Sequence, residues 1–461
     1  MPKSGNARNE MLLNEPVSRV IPKLAVPTVI SMLITAIYNM ADTFFVGRIS
    51  TAASGAVGVV YPLMTMLQAV AFMIGMGSGS TMSRALGGGR DEEAKRLVSV
   101  GFFTTLGLGV LLAALLLPAL EPMVRLLGAT ETIAPLAKDY AFYILLGAPF
   151  LMCSFAMNNM LRFQGMAMYA AVGITTGGIL NMVLDPLFIF VLGRGVAGAA
   201  MATALSQTVS FAILLVMCNK REATISIEIG NFRPSLKMYG DILYSGVSSL
   251  GRQGMASLAT VVLNNAAGVY GDAAIAAMSI VNRFVMFINS AVIGFYQGFQ
   301  PVCAFCYGAG RYSRVREAMR FSLKVVTVIL VVLVAVAMVL SGQIIGLFRD
   351  DPAVIEIGTL ALRLQLVTMP LWGMIVIMNM STQAMGFGAS SMVVSCSRQG
   401  IFLIPALLIL PPIFGLMGIQ TAQPVADVLS FILSLGMWLN IMKKLNTMQA
   451  GAEKKALSDP A

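Results

Sequence analysis

Two acidic residues lie inside apolar stretches that are long enough to cross a membrane. Asp42 stands in "YNMADTFFVG", and Asp185 stands in "NMVLDPLF", four residues after Asn181. A charged side chain at mid-membrane costs about 2.5–3.5 kcal/mol on insertion scales, so each carboxylate needs a partner or water. These two acids are therefore the first candidates for chemistry.

Polar residues around both acids recur at helical spacing. The stripes are Thr35, Tyr38, Asn39 and Asp42; Asn181 and Asp185; and Thr203, Ser206, Gln207 and Ser210. Each stripe occupies one face of a helix, and we expect the three faces to meet. Asp42 and Asp185 would then be too close for both to ionise comfortably without a cation, which predicts a proton or sodium site.

Two prolines bear on this site. Pro186 cannot donate the hydrogen bond that the Met182 carbonyl would accept, and it biases Asp185 away from ideal helical geometry. The freed carbonyl is an oxygen ligand suited to sodium, and it would bind water if Asp185 were protonated. Pro27, before the Asp42 stripe, either forms a bend in the first helix or only shapes its entry into the membrane.

Composition excludes several other chemistries. The chain has no histidine, so any proton coupling falls to carboxylates. The five cysteines include "CAFC" (Cys303 and Cys306), which lacks a second pair to complete a metal site and is interpreted as packing. We expect no enzyme activity and no cofactor other than a coupling ion, Na⁺ or H⁺.

The elements that carry these residues are membrane helices. Of the 461 residues, 57% are hydrophobic and 11% are charged, which predicts an all-α polytopic membrane protein with twelve transmembrane helices. The predicted spans are 22–47, 52–82, 98–120, 136–161, 168–192, 196–218, 240–269, 274–302, 322–346, 355–383, 391–413 and 416–441.

The basic residues predict the orientation of these spans. Most lysines and arginines fall on the side of the termini, which predicts that both termini are cytoplasmic. The family resemblance given below implies the inner membrane of a bacterial cell. The net charge of +10 is therefore explained by the orientation of the chain in the membrane. No nucleic-acid partner is expected, because the basic loops are short and lack interleaved aromatics.

An internal repeat organises the spans. Residues match at one constant offset, pairing Gly77 with Gly298, Gly89 with Gly310, Pro149 with Pro370, Asn158 with Asn379, and Gly165 with Gly386. Two six-helix lobes related by a pseudo-two-fold axis along the membrane normal follow, with a cavity between them. The predicted parts are an amino-terminal arm (1–21), an N-lobe (22–218), a linker (219–239), a C-lobe (240–442) and a tail (443–461).

The second lobe does not copy the acids, because Leu263 and Ala406 stand at the positions equivalent to Asp42 and Asp185. Its cavity candidates are Arg252, Gln253, Asn282, Arg283, Tyr296 and Asn379. Arg252 and Arg283 either act in the cavity or are structural, with Asp427 as a conceivable partner.

These features together resemble one transporter family. "YNMADTFFVGR", "NMVLDPLF" and "VAGAAMATALSQ" look like the multidrug and toxic compound extrusion (MATE) family, and "GVSSLGRQGMASLATVVLNN" resembles its MepA-like bacterial branch. The resemblance implies cation-coupled export of amphipathic, often cationic drugs. It maps the cation site onto Asp42, Asn181, Asp185 and Thr203, with Tyr140 and Asn158 as neighbours. Pro27 would be the bend, and a second-lobe sodium site is in doubt.

The functional hypothesis is a monomeric antiporter for small amphipathic or cationic compounds, surrounded by membrane lipid. The alternative is a lipid-linked precursor flippase, which would need a strongly basic cavity for pyrophosphate. An intramembrane aspartyl protease is disfavoured, because neither acid lies in a Gly-flanked motif. A membrane sensor is disfavoured for lack of a soluble output domain.

Overall fold

The computed structural model describes residues 4–220, 225–270, 272–348 and 351–458. In these ranges the chain is almost wholly helical. Parts of the predicted arm, linker and tail, at 1–3, 221–224 and 459–461, lie outside the described residues. The α-helices are α1 (Ser4–Asn14), α2 (Val17–Gly47), α3 (Thr51–Gly87), α4 (Asp91–Leu116), α5 (Leu120–Leu126), α6 (Ala134–Phe163), α7 (Ala167–Pro186), α8 (Gly195–Cys218), α9 (Leu236–Gly268), α10 (Asp272–Gly308), α11 (Tyr312–Val339), α12 (Ser341–Phe348), α13 (Pro352–Thr368), α14 (Trp372–Met385), α15 (Gly388–Cys396), α16 (Leu403–Phe414) and α17 (Leu416–Ser458).

Every predicted span coincides with a helix or with two consecutive helices. Within the described ranges, eleven helical segments are long and apolar enough to cross a membrane. The remaining predicted span, 240–269, coincides with α9, a helix of 33 residues whose serines, asparagines and arginine make it more polar. The all-α, twelve-helix prediction is confirmed.

The repeat is visible in the geometry of the turns. Gly89 and Gly310, at equivalent positions, both have φ of 70° and end α3 and α10. In each turn the next amide closes back onto the helix, Arg90 N to Ala85 O at 2.9 Å and Arg311 N to Cys306 O at 2.9 Å. Left-handed glycines satisfy the carbonyls at a helix end without steric cost, which explains why both copies carry glycine here.

Two lobes result from this repeat. Helices α2–α8 pack around α6, whose side chains are largely buried, and helices α9–α17 form the second lobe around α10, α13 and α14. Short helices α5 and α12 occupy equivalent turns. The lobes meet where α3 packs on α9 and α10 packs on α2.

Glycines line the contact between the lobes, which we call the glycine seam: Gly77, Gly87, Gly246, Gly294, Gly298 and Gly308. A Cβ atom at Gly77 would lie 2.1 Å from the backbone oxygen of Ile242, and one at Gly298 would lie 2.4 Å from the Cα of Ala25. Only glycine allows backbones this close. The two contacts lie on equivalent helix pairs, α3 with α9 and α10 with α2, and their partner residues differ by one helical turn.

The seam lies at the end of the molecule that carries both termini, called here the termini end. Helix α2 begins there and α3 ends there. The amino-terminal helix is tied to the same end, because Arg314 Nε donates to Leu12 O at 2.9 Å. The end of α17 joins it through Gln449 Oε1, which accepts from Ser313 N at 3.1 Å.

Candidate functional site

The predicted acidic site forms at the other end of the N-lobe. Asn181 Nδ2 donates to Asp185 Oδ1 at 3.2 Å, along the predicted face of α7, and to Thr203 Oγ1 of α8 at 3.3 Å. Asp185 is completely buried. The i, i+4 spacing on one helix and a facing stripe on the next therefore bring these three side chains together as expected.

Helix α2 adds the second carboxylate. Asp42 is partly buried and interacts electrostatically with Asp185. Both carboxylates also interact electrostatically with the hydroxyl groups of Tyr38 and Tyr140. The Tyr38 ring packs on α7, where a Cβ atom at Gly178 would lie 3.0 Å from it. We call this group of two carboxylates and two tyrosines, with Asn181 and Thr203, the acidic pocket.

Several oxygens of this pocket are buried and accept no hydrogen bond from the described residues. They are Asp42 Oδ1, Asp185 Oδ2 and Asn181 Oδ1; Ser206 Oγ and Gln207 Oε1, farther along the α8 stripe, are also buried without a partner. Buried acceptors without donors are costly, and a proton or a cation would relieve that cost. Carboxylate, amide and hydroxyl oxygens are the ligands that hard cations prefer. These oxygens could therefore bind a sodium ion, and the carboxylates could equally bind a proton.

Pro186 does not act as the sequence suggested. Asp185 keeps α-helical geometry, and Pro186 itself has φ −61° and ψ −32°. The helix runs through Asp185 to Pro186, so the predicted bias does not end it there, and the φ of proline itself fits a helix. The irregularity follows instead, as a π-helical turn over Leu187–Val191.

Other nominated residues lie elsewhere. Asn158 is separated from Tyr140 by eighteen positions of α6, about 27 Å along a helix, and its Nδ2 donates to Ala170 O at 2.9 Å near the termini end. Asn39 is exposed. The structure does not bring these two to the acidic pocket, whereas Tyr140 is there, buried, with its hydroxyl 3.7 Å from Met64 Sδ. Helix α2 is continuous through Pro27, whose side chain is buried.

The C-lobe candidates divide into cavity and structural residues. Arg252 Nη1 donates to Asn379 Oδ1 at 3.3 Å, and both line a cavity of about 110 Å³. Tyr296 is fully buried and donates to Gly373 O, in the first turn of α14, at 2.8 Å. Arg283 is exposed, and Gln253 and Asn282 are partly buried.

Sequence reasoning missed the main charge pair of this lobe. Asp427 is bound by Arg398, whose Nε lies 2.7 Å from Asp427 Oδ1, and not by Arg252 or Arg283. Gln423 and Thr368 also donate to this carboxylate, at 2.9 and 3.1 Å. The signal was present, because Arg398 is a charge inside a predicted span and such residues need a partner. Since Arg398 already neutralises Asp427, this acid gives no support to a second cation site.

Comparisons with known proteins agree with this architecture. A family model described as MatE matches residues 27–187 and 251–409, one match in each lobe. The chain is 26% identical over 413 residues to the multidrug export protein MepA of Staphylococcus aureus (strain NCTC 8325 / PS 47), covering 89% of this chain and 91% of that protein.

Solved structures of similar proteins superpose on nearly the whole chain. One is a MATE crystal structure in complex with MaL6, with a TM-score of 0.90, 26% identity and coverage of 98% of this chain and 100% of that one. Another is the outward-facing conformation of a multidrug resistance MATE family transporter of the MOP superfamily. It has a TM-score of 0.89 and 27% identity, and the alignment covers 95% of this chain and 98% of that one.

Proposed function

This chain belongs to the MatE family, and we propose on that premise that it is a cation-coupled multidrug efflux antiporter of a bacterial inner membrane. Its substrates would be small amphipathic compounds, many of them cationic. The observation that carries the proposal is the pocket in which buried Asp185, Asn181 and Thr203 meet Asp42, with carboxylate oxygens that no described donor satisfies. The export named for the similar MepA protein supports the same activity.

The pocket would couple transport to a cation. Asp42, Asn181, Asp185 and Thr203 would hold Na⁺, or the carboxylates would hold a proton. Either ligand removes the repulsion between two buried carboxylates, so its binding changes the free energy of the helices that carry them. Because Asp42 is on α2, and α2 also packs on α10 across the glycine seam, the same helix connects the pocket to the contact between the lobes.

Alternating access would follow from opening and closing this seam. With the termini in the cytoplasm, a closed seam seals the cytoplasmic side, and the acidic pocket lies toward the outside. Cation entry and drug export are coupled only if each ligand prefers a different state. The similarity to a transporter in an outward-facing conformation supports this assignment of the state.

The test is ethidium efflux from proteoliposomes under an imposed sodium gradient or an imposed pH gradient. We expect efflux in the wild type with one gradient, and its loss in Asp42→Asn and in Asp185→Asn, because neither variant can bind and release the coupling charge. Asp91→Asn, an exposed acid at the start of α4, is the matched control and should transport normally. Normal efflux in both site variants, at equal abundance, would contradict the mechanism.

The precursor flippase is the second candidate. It needs a strongly basic cavity, and the C-lobe cavity does contain Arg252 and Arg398. Arg398 is largely neutralised by Asp427, however, so the cavity is less basic than its arginines alone suggest. Rescue of a strain depleted of its precursor flippase would favour this alternative over drug export.

A further inference from the structure

Three arginines lie between the lobes or beside the C-lobe cavity, and among the described acids only Asp427 forms an ion pair with one of them. Arg162 ends α6, Arg252 lies within α9, and Arg398 lies in the π-helical turn after α15. Arg398 is paired with Asp427. Neither Arg162 nor Arg252 forms an ion pair with any acid that the structure describes.

Arg162 is the most deeply buried of the three. It is 2% exposed, and its Nη2 donates to Asn159 Oδ1, whereas Nε and Nη1 have no partner among the described residues. It interacts electrostatically with Arg252 across the contact between the lobes. Two like charges held together in a buried place are unfavourable unless an anion or water compensates them.

Arg252 is held in a fixed position with part of its guanidinium free. Its Nη1 donates to Asn379 Oδ1 at 3.3 Å, and Asn379 is itself fixed, because its Nδ2 donates to Ser391 O at 3.0 Å. This leaves the other nitrogens of Arg252 available. A planar fork of N–H groups is the geometry that binds carboxylate or phosphate in two parallel hydrogen bonds.

A cavity lies directly against this guanidinium. Its volume of about 110 Å³ corresponds to roughly four water molecules, which is room for an anionic head group and adjoining carbons. Besides Arg252 and Arg398, its polar lining is Asn289, Asn379, Ser395 and Gln399, with Trp372 among the apolar residues. No carboxylate is among the described residues that line it. The Arg398 guanidinium stacks on the Trp372 ring, with its Cζ 3.9 Å from the ring centroid, while its charge is paired with Asp427.

We propose that this C-lobe cavity binds the anionic group of an amphipathic ligand, a carboxylate or a phosphate, with Arg252 as the principal contact and Arg162 as a nearby positive charge. That a ligand bound here is then exported rests on the proposed function. Together with the acidic N-lobe pocket, it assigns zwitterionic and anionic amphipaths to the substrate range, in addition to cations.

Binding to the purified full-length chain tests the site without requiring transport. The probes are three pyrene compounds of matched size: pyrenebutyrate, the neutral pyrenebutanol and the cationic pyrenebutylamine. We expect the wild type to bind the carboxylate more tightly than the alcohol. Arg252→Gln should weaken carboxylate binding by about tenfold or more and leave alcohol binding unchanged.

Two further variants make the result specific. Arg252→Lys keeps the charge but loses the fork, so it should restore part of the carboxylate affinity. Arg320→Gln removes an exposed arginine of α11 and should change nothing. Thermal unfolding of each variant verifies that it is folded, and Arg252→Gln should not be destabilised, since it removes a buried charge without an ionic partner.

Competition identifies the source of the anion. Displacement of pyrenebutyrate by phosphatidylglycerol but not by phosphatidylcholine would support the site with a lipid phosphate as ligand. Resistance to both lipids would support it with a soluble anion. Equal affinity of the wild type for carboxylate and alcohol, or unchanged carboxylate binding in folded Arg252→Gln, would overturn the proposal. Failure of ethidium efflux in the wild type would instead remove the export function and leave the binding result intact.

Discussion

Arg84 connects the two lobes, and its removal should open the glycine seam. Its Nη1 donates to Ala384 O at 2.8 Å, and its Nη2 donates to Ser245 Oγ at 3.0 Å, so one side chain of the N-lobe holds α14 and α9 of the C-lobe. Its remaining bond, to Thr81 Oγ1, stays within α3. In Arg84→Met the apolar stem is retained and both inter-lobe hydrogen bonds are lost.

The magnitude follows from these two bonds. A hydrogen bond from a charged donor contributes about 1.5–3 kcal/mol, and water replaces part of this when the lobes separate. A net loss of about 2 kcal/mol changes the ratio of separated to closed molecules by about 30-fold. Transport should therefore slow, because the state closed at the termini end is depopulated.

A cysteine of the chain can report the separation. Cys303 is fully buried in α10 and lies close enough to Arg84 to interact with it electrostatically, so we expect a thiol reagent to reach it when the seam opens. With the other cysteines replaced by serine, we expect maleimide to label Cys303 about 30-fold faster in Arg84→Met than in the parent. A chain retaining only Cys153, buried inside α6 of the N-lobe, reports unfolding and should keep its rate.

A matched control separates this effect from a general loss of charge. Arg90 lies in the same turn and pairs with Glu93 at 2.8 Å on the exposed surface, so Arg90→Met should leave Cys303 labelling unchanged. The reasoning is refuted if Arg84→Met labels Cys303 at the parental rate. It is also refuted if Cys153 accelerates equally, since the substitution would then have unfolded the protein.

Three further predictions concern other parts of the molecule. Arg398→Met or Asp427→Leu should each destabilise the protein by about 3–5 kcal/mol, because each leaves a lone buried charge. The double variant should be destabilised by much less, because it replaces the ion pair with an apolar pair. Thermal unfolding in detergent measures these losses, and additive losses in the double variant would contradict the prediction. Gly298→Leu should prevent closure against Ala25, so that Cys303 labels rapidly although Arg84 is intact, and slow labelling of the folded variant would contradict this. Thr203→Val removes a neutral oxygen bonded to Asn181 and should raise the cation concentration for half-maximal ethidium efflux by about fivefold, whereas complete loss of efflux would indicate a larger role.

The parts of the structure that follow from local spacing could be predicted from the sequence. Asn181 and Asp185 share a helix face because they are four residues apart, and their hydrogen bond confirms it. The constant offset between the halves likewise paired Gly89 with Gly310, and both have the same left-handed conformation after α3 and α10. Even Asn158 and Asn379 make equivalent bonds, to the carbonyls of Ala170 and Ser391.

The parts that depend on how helices pack could not be predicted in this way. The pairing of Arg398 with Asp427 joins two helices whose relative rotation is not encoded in either periodicity. The proximity of Arg162 to Arg252 arises only when the lobes are assembled. Asn39 shows the same limit, because it belongs to the stripe of Asp42 by spacing and yet lies on the exposed edge of that face.

The glycine seam also has a consequence for the entropy of the conformational change. Side chains that become fixed at an interface lose rotamer freedom, which costs up to about 2 kcal/mol for long residues, whereas glycine loses none. Gly77 and Gly308 pack directly against backbone atoms in the seam. A Cβ atom added at Gly77 would lie 2.1 Å from the backbone oxygen of Ile242, and one added at Gly308 would lie 2.1 Å from that of Arg84. Closing and opening the lobes therefore orders few side chains, so the two states can lie close in free energy, within the range that the binding of a single ion can reverse.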